Sequence, residues 1–251
     1  VGLYRTEFLF MGSREIPDED TQFRAYRDAV LGMTGRTVTI RTLDLGADKA
    51  DKTGLALRDE PNPALGLRGV RLSLARDGLL HTQLRAIARA SGYGPVRVLV
   101  PMISGAEEMR TVRAMLRTAL AEVRREGHEV AAQLPLGAMI EVPSAALSLS
   151  GFIGACDFLS IGTNDLVQYL LAADRNNEAL GELYTPLHPA LLRLLRDVVR
   201  IAHRRGRPVA VSITFAARYL NAAPGKAPFC RHVSWPATPP GKHPPFCNRS
   251  S

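Results

Sequence analysis

A chain of 251 residues, 46% hydrophobic and 22% charged, can bury roughly three quarters of its unfolded surface within one domain. No apolar run approaches the roughly 20 residues of a membrane span, and no basic flank leads into an apolar signal core, so neither a membrane nor a secretory role is expected. The net charge of +8 would suggest nucleic acid, yet nine Lys and Arg and no Asp or Glu follow residue 197, which leaves residues 1–197 at −1; no nucleic-acid partner is expected of so neutral a body.

In chain order, strands are predicted at VGLY (1–4), TVTIR (37–41), VRVLV (96–100), LGAMIEV (136–142), DFLSI (157–161) and PVAVS (208–212). Helical periodicity is predicted over 19–33, 79–91, 106–126, 165–173 and 189–205. Strands alternating with helices argue for a parallel α/β architecture. Arg5, Arg41, Glu141, Asn164 and Asp165 all fall at or just past the C-terminal end of a strand. In a TIM-type (β/α)8 barrel those ends converge on the active site. A doubly wound sheet would place ligand there only near a switch point, so recurrence over several strands favours the barrel.

Only about six of the eight strands are predicted. The chain opens inside a strand, and after Ser212 the pattern dissolves, with seven prolines within 28 residues from Pro224. The expected organisation is a barrel domain over 1–212, truncated at both ends, followed by a disordered tail over 213–251. Cys156, Cys230 and Cys247 show no metal-ligand spacing, which fits a reducing compartment and a cytoplasmic protein.

The individual residues admit two readings. Arg5 and Arg41 offer planar forks for phosphate or carboxylate oxygens, or pair with Glu7 and Asp44 as structural salt bridges. Thr163, Asn164 and Asp165 fit a helix N-cap as well as a site. Glu141 and Asp165 could hold Mg²⁺ with two carboxylates, or be balanced by arginines. Asp48 and Lys49 read as a solvated turn, and Arg68 reads as structural ahead of ligand-binding. His188 reads as a helix-entry residue, none of the six histidines forms a catalytic arrangement, and HRRGR (203–207) reads as a helix end with favourable charge rather than a nucleic-acid patch.

Taken together, GLYRTEFLF, IRTLDLGADK, NPALGLRGVR, VLVPMI, MIEVPSA, SIGTNDLVQY and AADRNN resemble, in order and spacing, the phosphoenolpyruvate-binding C-terminal domain of enzyme I of the bacterial sugar phosphotransferase system, the phosphoenolpyruvate–protein phosphotransferases. The resemblance runs from residue 1 to about 211. Pyruvate phosphate dikinase and phosphoenolpyruvate synthase share the barrel, but the Tyr-Arg-Thr-Glu-Phe and Leu-Val-Gln-Tyr wording is closer to enzyme I. The resemblance implies that Arg5, Arg41 and Arg175 clamp the substrate, with Asn164 and the Asp165 backbone touching it and Lys49 a further candidate. It implies that Glu141 and Asp165 ligate Mg²⁺. It further implies phosphoryl transfer to a histidine on a separate N-terminal domain and onward to a phosphocarrier protein, and a homodimer. The resembling residues include no such histidine domain.

One departure limits that expectation. Where the family has Cys-Gly-Glu-(Met/Leu)-Ala-Gly, with the cysteine as the acid that protonates the enolate, this chain reads PVAVSITFAARYL. Ser212 therefore occupies the catalytic position, and a hydroxyl is a far weaker acid than a thiol of pKa about 8.5. An acid-free, proline-rich tail that starts at one point is what a reading-frame shift would give. Impaired turnover, or a non-catalytic module that binds ligand or pairs with an intact subunit, is the competing expectation.

Overall fold

The computed structural model describes residues 2–11, 15–46, 60–213 and 231–235, with 212, 213 and the last segment as backbone alone. Lys49, Asp48 and most of the tail lie outside the described residues. The strands are β1 (Tyr4–Arg5), β2 (Val38–Arg41), β3 (Val96–Val100), β4 (Leu136–Ile140), β5 (Phe158–Gly162), β6 (Val209–Ile213) and β7 (Arg231–Trp235). They form one sheet in sequential order. β1 through β6 run parallel, and β7 pairs antiparallel with β6. The helices are α1 (Glu7–Met11), α2 (Glu19–Leu31), α3 (Val70–Ala75), α4 (Leu79–Ala90), α5 (Ala106–Arg125), α6 (Pro143–Phe152), α7 (Thr163–Leu171) and α8 (Pro189–Arg204). The result is a curled half-barrel of six parallel strands with helices packed against it, the incomplete barrel expected from the strand count.

Strands buried on both faces explain the short, near-continuous apolar runs. Val38, Ile40, Val98, Val100, Ala138, Ile140, Leu159 and Ile161 face the helices and join the main core. Alternate residues turn to the concave face, where Leu99, Met139 and Phe158 cluster with Leu3. Gly137 of β4 serves that face: a Cβ there would sit 2.5 Å from the Phe158 ring. Arg97 stacks its guanidinium 4.5 Å from the same ring centroid and donates to Thr39 Oγ1 at 2.7 Å.

The outer helices are tied by ions as well as apolar contact. Arg85 of α4 reaches Glu19 of α2 at 2.6 Å, Glu122 of α5 at 3.2 Å and Glu126 at 2.7 Å. His188 caps α8 by accepting the Ala190 N–H at 3.2 Å, as the helix-entry reading expects. His203 and Arg204 fall in the last turn of α8, where positive charge suits the helix dipole.

Several details differ from the sequence expectations. The first strand is Tyr4–Arg5 rather than 1–4, and β4 ends at Ile140, so Glu141 stands just outside it. Pro143 does more than end that strand, because it opens α6 from its first turn, the position where its missing N–H is harmless. No regular element was expected beyond Ser212, yet β7 pairs with β6 there. Among the described residues no helix is long and apolar enough to cross a membrane.

Candidate functional site

The C-terminal ends of β1, β2, β4 and β5 open on a cavity of about 470 Å³ lined by Arg5, Arg41, Glu141, Asn164, Asp165 and Arg175. These six come from four parts of the chain and were singled out at strand ends or, for Arg175, in the stretch that follows Asn164 and Asp165. The same cavity is lined by Asp44, Arg68 and Gln168.

Charges of alternating sign run around the wall. Arg5 Nε meets Glu7 at 2.9 Å, and Glu7 also pairs with Arg41. Arg41 pairs with Asp44 at 3.1 Å, Asp44 with Arg68 at 3.0 Å, Arg68 with Asp165 at 3.0 Å, and Asp165 with Arg175 at 2.7 Å. The salt-bridge reading of Arg5 and Arg41 is therefore met in full, and both also face the cavity. Arg68, expected to be structural, stands midway along the chain of charges. Burial would push the Arg41 guanidinium down, but Asp44, Glu7 and Glu141 overrule it and hold it above its ordinary value. Arg68 follows the same logic, with Asp44 and Asp165 outweighing desolvation.

The helix-cap reading of 163–165 does not hold. Gly162 is the N-cap of α7 and makes no side-chain cap, while Thr163, Asn164 and Asp165 lie inside the first turn. The Asp165 carboxylate turns instead to Arg68 and Arg175. Tyr184 Oη donates to the Asn164 carbonyl at 2.7 Å, and Gln168 Oε1 accepts the Arg175 N–H at 3.2 Å. Tyr169 receives Arg68 Nη1 at 3.3 Å and donates to the Ala64 carbonyl. Together these bonds lock α7 and the segment carrying Arg175 to the sheet end.

Glu141 is only 1% exposed. Its Oε1 accepts the Met102 N–H at 2.7 Å. Burial first, then the nearby charges of Asp44 and Asp165, push its carboxyl up to about 8 despite Arg41 and the Met102 bond. A carboxylate so placed is short of a cation. Among the described residues no group of three or more His, Cys, Asp or Glu could hold a metal; Glu141 and Asp165 provide two carboxylates, a number that suits Mg²⁺ when substrate oxygens and water complete the shell. Ser212 lies in register with Gly162 at the end of β6, which puts its backbone at the edge of the same opening.

Residues 1–218 match the family described as PEP-utilising enzyme, PEP-binding domain. The chain belongs to that family. This PEP-binding domain is 52% identical over 213 residues to the phosphoenolpyruvate-protein phosphotransferase of Cupriavidus necator, with 84% of this chain and 36% of that protein covered. It is 46% identical over 207 residues to the protein of that name from Latilactobacillus sakei, and 47% identical over 207 residues to that of Listeria monocytogenes; each match covers 82% of this chain and 36% of the relative. The domain thus spans about a third of the length of the curated relatives it matches.

Two members of the site escaped sequence reasoning. Asp44 was weighed only as a partner of Arg41, and Arg68 as a structural residue ahead of a ligand-binding one. The signal lay in GLRGVR, where a glycine on each side of an arginine lets the backbone turn tightly into α3; Gly69 has φ 57°.

Proposed function

We propose that this chain binds phosphoenolpyruvate together with Mg²⁺ at the mouth of its half-barrel, in the cytoplasm, as the substrate-holding part of a phosphotransferase that serves sugar uptake. In the complete protein the phosphoryl group would pass to a histidine on a separate domain and onward to a phosphocarrier protein, with the barrel domain dimeric. The observation that carries the reading is the gathering of Arg5, Arg41, Arg68 and Arg175 around one cavity, each already paired with a carboxylate.

The chemistry follows from those residue types. Phosphoryl transfer asks for positioning and charge neutralisation more than covalent help. Arg5, Arg41 and Arg175 would take the phosphate and carboxylate oxygens as bidentate forks, their own acids keeping them preoriented. Asn164 and the Asp165 backbone at the α7 N-terminus would add neutral donors, where the helix dipole also favours an anion. Glu141 and Asp165 would hold the Mg²⁺, which when bound neutralises phosphate charge. Lys49, outside the described residues, is a further candidate for the substrate.

A second reading, a module that binds but does not turn over, is favoured by the serine at position 212, where the enzyme I resemblance calls for the acid cysteine. Titration calorimetry of phosphoenolpyruvate with and without Mg²⁺ tests the shared claim, and absence of binding under both conditions sinks it. Adding a separately supplied histidine domain then divides the readings: pyruvate release supports the transferase, and binding without release supports the module.

A further inference from the structure

Three carboxylates along the chain of arginines, Glu7, Asp44 and Asp165, are each paired with an arginine. Glu141, buried beside them, makes no ion pair among the described residues, although the Arg41 charge is near enough to act on it. A buried carboxylate beside an arginine should collapse onto it unless something holds it off. The structure provides the restraint in three places.

Met102 follows β3 in the left-handed region, with φ 58°, an uncommon conformation for a residue with a long side chain that calls for a reason. That backbone turn aims the Met102 N–H at Glu141 Oε1, 2.7 Å away. Behind Met102 stands Gly69, also at positive φ, where a Cβ would meet Met102 Cβ and Cγ at 2.7 Å and Asp44 Oδ1 at 3.4 Å. On the far side of the carboxylate, a Cβ on Gly162 would lie 2.4 Å from Glu141 Oε2 and 2.8 Å from Glu141 Cβ. Glu141 thus has a backbone donor on one oxygen and room left by a glycine for the other.

We propose that Gly69, Met102 and Gly162 are positioning residues that hold the Glu141 carboxylate out of the arginine chain and keep it available to a divalent cation at the cavity. This rests on the phosphoenolpyruvate and Mg²⁺ reading above. It assigns roles to three residues outside the arginine clamp and the carboxylate pair, and it explains why a methionine adopts a glycine-like backbone at this point. Residues that orient a metal ligand in this way are typically worth about 10–100-fold in metal affinity.

The test is calorimetric titration of phosphoenolpyruvate, with and without Mg²⁺, on the wild type, Gly69→Ala, Gly162→Ala and the double variant Gly69→Ala/Met102→Gly, with thermal melts alongside. Gly69→Ala is expected to lose the Mg²⁺ enhancement by about tenfold or more, while its Mg²⁺-free affinity, set by the arginines, changes less than about threefold. Gly162→Ala, whose φ of −90° suits alanine and adds no backbone strain, should lose the enhancement through direct pressure on Glu141. The double variant removes the side chain that a new Cβ would strike but keeps alanine at the positive φ of residue 69, so it should recover the part of the enhancement lost to the Met102 contact and not the part lost to backbone strain. Retention of full enhancement by both single variants overturns the inference while the binding reading stands. An equal loss of Mg²⁺-free and Mg²⁺-dependent affinity in Gly69→Ala overturns it as well, since that marks general damage. A wild type that binds no phosphoenolpyruvate overturns both.

Discussion

Arg41 is 8% exposed in its side chain and sits between Glu7 and Asp44, so it cannot leave its place without taking one of two arginine partners from each of these buried acids. Its removal should therefore cost binding and stability together. Arg41→Ala is expected to lose phosphoenolpyruvate binding in a calorimetric titration, a buried charged fork being worth about 2–5 kcal/mol; unchanged affinity in a folded variant overturns the clamp. Glu141 carries the clearest pH signature. Its folded carboxyl is raised to about 8, against about 4.3 in an unfolded chain. Between those values the folded state keeps a proton that the unfolded state has released, so ligand-free stability falls as pH rises through that window and levels off above about 8. The loss is on the order of a few kcal/mol. Thermal melts from pH 5 to 9 should show this slope flattened in Glu141→Gln, and parallel curves for the two proteins would refute it. Both residues were legible as strand-end polar groups; Asp44 and Arg68 were not, because a salt bridge and a site look alike until both ends of each pair are placed.

Elements were legible in proportion to how much period they carry. Helices α2, α4, α5, α7 and α8 span at least nine residues each and were predicted to within a few positions. Helices α1 and α3 have five and six residues, less than two turns, and show no period to read. Helix α6 is PSAALSLSGF, a run of small and apolar residues without a polar stripe, so only its proline and its packing against the sheet reveal it. The concave face of the sheet makes its own prediction. Gly137→Ala should overpack β4 against the Phe158 ring, at a cost of about 1–3 kcal/mol, seen as a melting temperature lower by roughly 2–12 °C. Phe158→Leu in the same chain should restore part of that loss, and additive effects of the two changes would show that the ring is not the obstacle.

At the scale of the whole molecule, the family match ends at residue 218, and β7, beyond it, reverses the parallel repeat by pairing antiparallel with β6. A strand of the barrel pattern would run parallel at that place. Translation of the gene in its other two frames past codon 212 is expected to recover a Gly-Glu-(Met/Leu)-Ala-Gly stretch, and its absence from both frames would make the tail native to this protein. The sequence by itself determined the architecture, because strands buried on both faces and amphipathic helices write their periods into the chain. It also determined which residues stand at strand ends, since the end of an apolar run is a local property. Only the tertiary structure decided that Arg68 joins the wall, that Asp165 faces two arginines instead of capping its helix, and that the buried Glu141 is left without one. Those are distances between residues up to about a hundred positions apart, set by strand register and by the room that three unremarkable residues, Gly69, Met102 and Gly162, leave or fill around a single carboxylate.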